Sequence, residues 1–138
     1  MKVRRSFVLC MIFLSACTDR KQGIENAMKK YDRLILHVDA DSIADCFMPD
    51  GKLGTVSGRD SIRAFLKRFG DVKVLQQRSS TTAIAMKGDS ARQDGTYFQE
   101  VILNGDTITA TGKYTASWVW DGAQGWLLEN MVNVPDKK

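Results

Sequence analysis

The sequence predicts an α+β domain in which a curved, mostly antiparallel sheet folds over a long N-terminal helix, with two further short helices between them. Three observations carry this. Apolar residues at Ile24, Ala27, Met28, Tyr31, Leu34, Ile35 and Val38 recur every three or four positions, the stripe of an amphipathic helix. Beyond Gly70 that spacing disappears and extended segments follow one another. Residues 107–120 then alternate, with Ile108, Ala110, Gly112, Tyr114, Ala116, Trp118 and Trp120 on one face and Thr109, Thr111, Lys113, Thr115 and Ser117 on the other. That pattern describes a long strand with one buried and one wet face, the floor of the sheet. Helical stripe and apolar floor need each other for burial.

The 138 residues suffice for one domain, and the first sixteen are expected to lie outside it. Lys2, Arg4 and Arg5 precede a short apolar run at 7–14, the layout of an export signal too short to span a bilayer. Leu14-Ser15-Ala16-Cys17 follows and resembles the lipobox of bacterial lipoproteins. The resemblance implies that Cys17 becomes the acylated first residue of the mature chain, anchoring it to a membrane of the bacterial envelope and facing the periplasm or exterior. The expected plan is a signal peptide at 1–16, a polar tether at 17–23, the folded domain at 24–134 and a disordered tail at 135–138.

Removing residues 1–16 takes three of the 20 basic residues and none of the 16 acidic ones, so a formal charge of +4 falls to +1. A nearly neutral mature domain gives no electrostatic reason to bind nucleic acid. Cys10 leaves with the signal and Cys17 becomes a thioether, so Cys46 has no partner for a disulfide.

The helical stripe is expected to run from Ile24 to Val38, with Glu25 and Lys29 supporting it four residues apart. Asp39-Ala40-Asp41-Ser42 supplies cap-type residues for a short second helix through Phe47, stopped by Met48-Pro49-Asp50-Gly51. Residues 52–56 form a short strand, and Ser57-Gly58-Arg59-Asp60 caps a third helix carrying Ile62, Phe65, Leu66 and Phe69. Strands are then expected at 71–78, 81–87, 91–104, 107–120 and 126–134, with one long bent strand the alternative for the first two, separated by turns at Gly88-Asp89, Asn104-Gly105-Asp106 and Asp121-Gly122.

This order, with Phe47-Met48-Pro49-Asp50-Gly51, then Gly58-Arg59-Asp60-Ser61-Ile62-Arg63-Ala64-Phe65-Leu66, then Trp118-Val119-Trp120-Asp121-Gly122-Ala123-Gln124-Gly125-Trp126, resembles the nuclear transport factor 2-like superfamily in its SnoaL-like and ketosteroid isomerase-like branch. The resemblance covers residues 22–134. It implies a cone, a strongly curved sheet wrapped around the long first helix and hollow at its open end. It also places Tyr31 where ketosteroid isomerases keep the phenol that donates to a developing oxyanion. Their carboxylate base would fall near Thr55, between Gly54 and Val56, where this chain has no acid. A phenol without a base cannot carry enolisation.

His37 is the only histidine and lies on the polar side of the first helix; with Cys46 the only free thiol, a zinc site of three or four His and Cys ligands cannot be assembled. No phosphate-binding glycine loop is present, and no cofactor is expected. Glu129 is the remaining candidate base. A four-residue loop at 121–124 places it beside Ala116 on the buried face, and one residue more places Asn130 there instead. Trp118 fits a core aromatic, whereas Tyr31 and Tyr114 with Trp118 and Asn130 are the ligand-binding candidates of a mostly apolar hollow suited to a small hydrophobic ligand. The leading expectation is a membrane-tethered, non-catalytic ligand-binding or interaction domain. One alternative is an acid-base enzyme using Tyr31 and Glu129. The other, drawn from the superfamily's habit of pairing through its sheet, is a homodimeric adaptor with Phe98, Ile102 and Val119 exposed on the outer sheet face.

Overall fold

Helix α1 (Leu9–Leu36) buries the predicted stripe, with Ile24, Met28 and Tyr31 in the core and Ala27, Leu34 and Ile35 packed against it. The computed structural model describes the backbone from residue 9 to residue 138 and the side chains from residue 19 onward, so the start of the expected export signal and the Cys17 side chain lie outside it. The helix begins earlier than the stripe does. Residues 17–23, expected as an extended tether, are helical, and Arg20 donates to the Gly88 carbonyl at 2.9 Å and to Asp89 at 2.8 Å. No described helix is long and apolar enough to cross a membrane.

The C-terminus of α1 closes with paired bonds from Val38 N–H to Ile35 O and from Asp39 N–H to Leu34 O, and Val38 takes the left-handed position with φ of 50°. Glycine usually fills that place, because a β-branched side chain strains it. Val38→Gly is expected to raise unfolding stability by about 1 kcal/mol while removing apolar surface from the hollow described below. Urea denaturation checks this.

Asp39 caps α2 (Ala40–Asp45), its carboxylate accepting from Ser42 N–H at 3.0 Å. Hydrogen bonding from Ser42, its side chain first and its backbone N–H second, holds the Asp39 pKa below the ordinary carboxylate value. The folded pKa is depressed, so the contribution is present above the unfolded pKa and lost as pH falls through the folded one. The stability gap between wild type and Asp39→Ala is therefore expected near neutral pH and should close on acidification; a pH series of urea melts reads it.

The second helix stops two residues earlier than predicted. Phe47 opens strand β1 (Phe47–Leu53), which runs parallel to the last strand and is irregular between Phe47 and Lys52. Pro49 sits in that interruption, where the donor it lacks is not needed by the ladder. Strand β2 (Val56–Ser57) absorbs Ser57, so Gly58 takes the cap position of α3 (Arg59–Lys67) without a side-chain bond. Arg63 reaches Asp41, Asp45 and Asp60, tying α3 to α2.

Strands β3 (Lys73–Lys87), β4 (Ser90–Leu103), β5 (Asp106–Asp121) and β6 (Gly125–Pro135) complete a six-stranded sheet of order β2-β1-β6-β5-β4-β3. The two predicted segments at 71–78 and 81–87 are one strand, irregular at 74–76 and 81–83. Such irregularities increase local twist and bend the strand over the helix. The β4–β5 turn is Asn104-Gly105, both with positive φ, which matches the right-handed twist of the flanking strands. The tail is not free at its start, because Asp136 bonds Thr111 through both backbone and side chain.

Two neighbouring cross-strand pairs shape the inner face. Gly95 stands opposite Tyr114, and Tyr97 opposite Gly112. Each ring lies over its partner glycine: a Cβ on Gly95 would fall 2.7 Å from Tyr114 Cζ and press on the Ser80 carbonyl oxygen, and one on Gly112 would meet Tyr97 at 2.8 Å. Gly95→Ala is expected to cost about 1–3 kcal/mol through overpacking, measurable by urea denaturation.

On the outer face, the expected patch does not form. Phe98, Ile102 and Val119 are all half-buried, and the Arg78 guanidinium lies 4.7 Å from the Phe98 ring centre.

Candidate functional site

A hollow of about 160 Å³ lies between the second half of α1 and the inner face of the sheet. Met28, Tyr31 and Ile35 come from successive turns of the helix, because positions three and four apart share a face. Gln77 and Ser79 of β3, Tyr97 and Gln99 of β4, Ala110 and Tyr114 of β5, and Met131 and Asn133 of β6 supply the rest. Strand alternation selects the odd positions of β4 and the even positions of β5.

A polar frame fixes the helix over this hollow. Asp32 accepts from Gln77 Nε2 at 3.0 Å, from Ser79 N–H at 2.9 Å and from Ser79 Oγ at 2.7 Å. About two turns earlier on the helix, Trp118 Nε1–H donates to Gln93 Oε1 at 3.0 Å, Gln93 Nε2 donates to Thr81 Oγ1 at 2.9 Å, and Thr81 donates to Glu25 at 3.0 Å. Gln93 is fully buried, and this chain satisfies both ends of its amide.

Three phenols line the hollow. Burial is the first cause raising the pKa of each, well above the ordinary value for Tyr31, where Cys46 and Asp32 add to it. All three are protonated donors at neutral pH. Tyr114 is 3% exposed; the Thr81 hydroxyl stands near enough to its Oη to oppose the rise in pKa, yet it is already engaged with Gln93 and Glu25, and no bond of hydrogen-bonding geometry reaches the Tyr114 Oη among the described residues. An unpaired buried hydroxyl costs about 1–3 kcal/mol, so the site is poised to gain from an acceptor.

Beyond Ile35 and Gln99, which line both compartments, lies an apolar one of about 220 Å³ walled by Val38, Ile43, Leu66, Phe69, Val72, Val74 and Val101. Gln99 is held by its bond to Gln77 at 3.0 Å. The hollow thus has a hydrogen-bonding inner chamber and an apolar outer one.

Of the sequence candidates, Tyr31 and Tyr114 come together in the chamber. Trp118 does not; it is 1% exposed and belongs to the core through Gln93. Glu129 is corrected more sharply. The β5–β6 turn has three residues, and the ladder slips so that Ser117 faces Asn130 and Trp118 faces Leu128, leaving Glu129 as the extra, exposed residue of a bulge. Met131, rather than Glu129 or Asn130, stands opposite Ala116. Asn130 faces Ser117 away from the chamber, its Oδ1 buried without a partner. His37 is exposed, and Thr55 is exposed in the tight turn between β1 and β2.

Sequence reading missed Tyr97, Gln77, Ser79, Gln99 and Asn133. Tyr97 was accessible, since it shares the parity of Ala91 and Gly95; the amides were not, because polar residues on a sheet's inner face imitate an outer one. Among the described residues no group of three or more His, Cys, Asp or Glu is placed to hold a metal.

A SnoaL-like domain family model matches residues 17–132. The chain belongs to the SnoaL-like domain family. No curated protein sequence matches it. This SnoaL-like domain is similar in structure to a protein of unknown function from Mycobacterium tuberculosis, with a TM-score of 0.81 at 15% identity over 91% of this chain and 76% of the other. An NTF2-like protein with a cystatin-like fold from Novosphingobium aromaticivorans gives 0.77 at 14% identity over 94% and 90%. A ketosteroid isomerase-like protein from Erwinia carotovora gives 0.73 at 14% over 83% and 95%. These likenesses, at such identities, show the NTF2-like fold of the SnoaL-like domain and nothing of its chemistry.

Proposed function

We propose that the mature chain is a membrane-tethered envelope lipoprotein whose cone holds, without transforming it, a small apolar ligand bearing a neutral oxygen acceptor. The observation that carries this is the unpaired Tyr114 hydroxyl within a chamber lined by two further phenols. Phenol donors recognise a carbonyl, ester or alcohol oxygen. No cation lines the chamber, while the Asp32 and Glu25 carboxylates stand close behind it, so an anionic head is disfavoured against a neutral one. The outer compartment accepts the apolar body.

Chemistry on such a ligand needs a base, and neither lining supplies a carboxylate, imidazole or thiol. Donors alone polarise a carbonyl without moving a proton from its neighbour. The expected result is that 2-octanone incubated with the protein in D2O exchanges its α-protons no faster than in buffer, as read by proton NMR. Protein-dependent exchange would establish enolisation and replace this reading with the enzymatic one. Anchoring is checked separately: Cys17→Ser is expected to leave the membrane fraction, and unchanged partitioning would contradict acylation.

A further inference from the structure

Arg20 is pinned three residues after Cys17. Its guanidinium donates to Gly88 O and Asp89 Oδ1 in the β3–β4 turn and lies 5.8 Å from the centre of the Trp126 ring. A Cβ at Gly23 would come within 3.2 Å of Trp126 Nε1, so the turn of α1 that follows Arg20 sits directly on that indole. Since α1 is unbroken through position 17, no extended linker separates the acylation position from the domain. An exposed ion pair would matter little by itself, but a main-chain carbonyl, a carboxylate and an aromatic face fix the same guanidinium.

The same end carries Trp120. Its backbone N–H donates to Asp89 O at 2.7 Å, its ring meets Trp126 edge-on at 5.4 Å, and it is 42% exposed. The two compartments lie toward the other end of α1, where the exposed Phe69 edges the apolar one. Ile35 lies fifteen residues beyond Arg20, about 22 Å along the helix axis.

We propose that the Arg20 latch docks the Trp126 end of the domain rigidly on the lipid surface, with Trp120 in the headgroup layer and the two compartments of the hollow turned away from the bilayer. This rests on the acylated-Cys17 reading. Exposed indoles favour the membrane interface, being apolar with one polar edge. An acyl anchor one helical turn from the Arg20 latch brings Trp120 to that depth, and the ligand then enters from the aqueous side instead of from the supporting membrane.

The test uses the full-length protein, purified from membranes in its anchored form and reconstituted into phosphatidylethanolamine and phosphatidylglycerol vesicles with brominated acyl chains. In a Cys46→Ser background, a fluorophore is placed at Ala123→Cys beside Trp120 or at Leu103→Cys at the far end, both exposed sites. Quenching is expected to be severalfold stronger at position 123 than at position 103, and Arg20→Ala should erase the difference. Equal quenching at both sites, or none at either while the protein stays on the vesicles, would overturn the docked orientation alone. A difference retained in Arg20→Ala would overturn the latch. Failure of the protein to partition with membranes at all, or indifference to Cys17→Ser, would overturn the anchor and the orientation with it.

Discussion

Gln93→Ala is expected to destabilise the domain by about 2–4 kcal/mol, the sum of a cavity in the core and the Trp118 N–H left without an acceptor. Gln93 is fully buried where β4 faces β5, and it alone connects the Trp118 indole to Thr81 and, through it, to Glu25 on the helix. Removing it breaks the polar chain and the registration of α1 over β3 together. Gln93→Met separates the two terms, because it fills the space and still leaves the indole unpaired. It should lose about 1–3 kcal/mol, the desolvation share. Urea denaturation of the three proteins measures both, and a Gln93→Ala variant as stable as wild type would show that the chain does not hold the helix.

Tyr114→Phe should act in two directions at once. In the ligand-free protein it removes a buried hydroxyl with no partner, and stability should rise by about 1 kcal/mol. Binding of a neutral acceptor should weaken by about tenfold, corresponding to one lost hydrogen bond of about 1.4 kcal/mol. The ring itself must stay, since it covers Gly95 and walls the chamber. A plain packing role for Tyr114 predicts no change in affinity, so calorimetry and denaturation on one variant distinguish the two.

The sequence made the scaffold legible because its elements repeat. The α1 stripe from Ile24 and the alternation through Tyr114 and Trp118 each follow a single period; the buried face holds from Gly112 to Trp118, while Ile108 and Trp120 toward the strand ends are exposed. Where period and geometry part, reading failed. The β6 bulge at Glu129 shifts one residue of register, which no pattern of side chains announces, and it took the proposed base out of the hollow. The inner row Gln77, Ser79, Gln93 and Gln99 is polar on a buried face, and only the fold brings them their partners: Asp32 for Gln77 and Ser79, Trp118 and Thr81 for Gln93, and Gln77 for Gln99. Tyr97 escaped notice because its glycine partner lies on another strand. The tether turned into helix because Arg20 finds its partners in a turn 68 residues away.

Isothermal titration of 2-octanone and octanoate against the same protein at neutral pH tests most directly the claim that the chamber receives a neutral oxygen acceptor. The ketone should bind at least tenfold more tightly, with the difference shrinking as pH falls through the carboxylate range and octanoate becomes a neutral acid. Tighter binding of octanoate at neutral pH, or no binding of either, would contradict it.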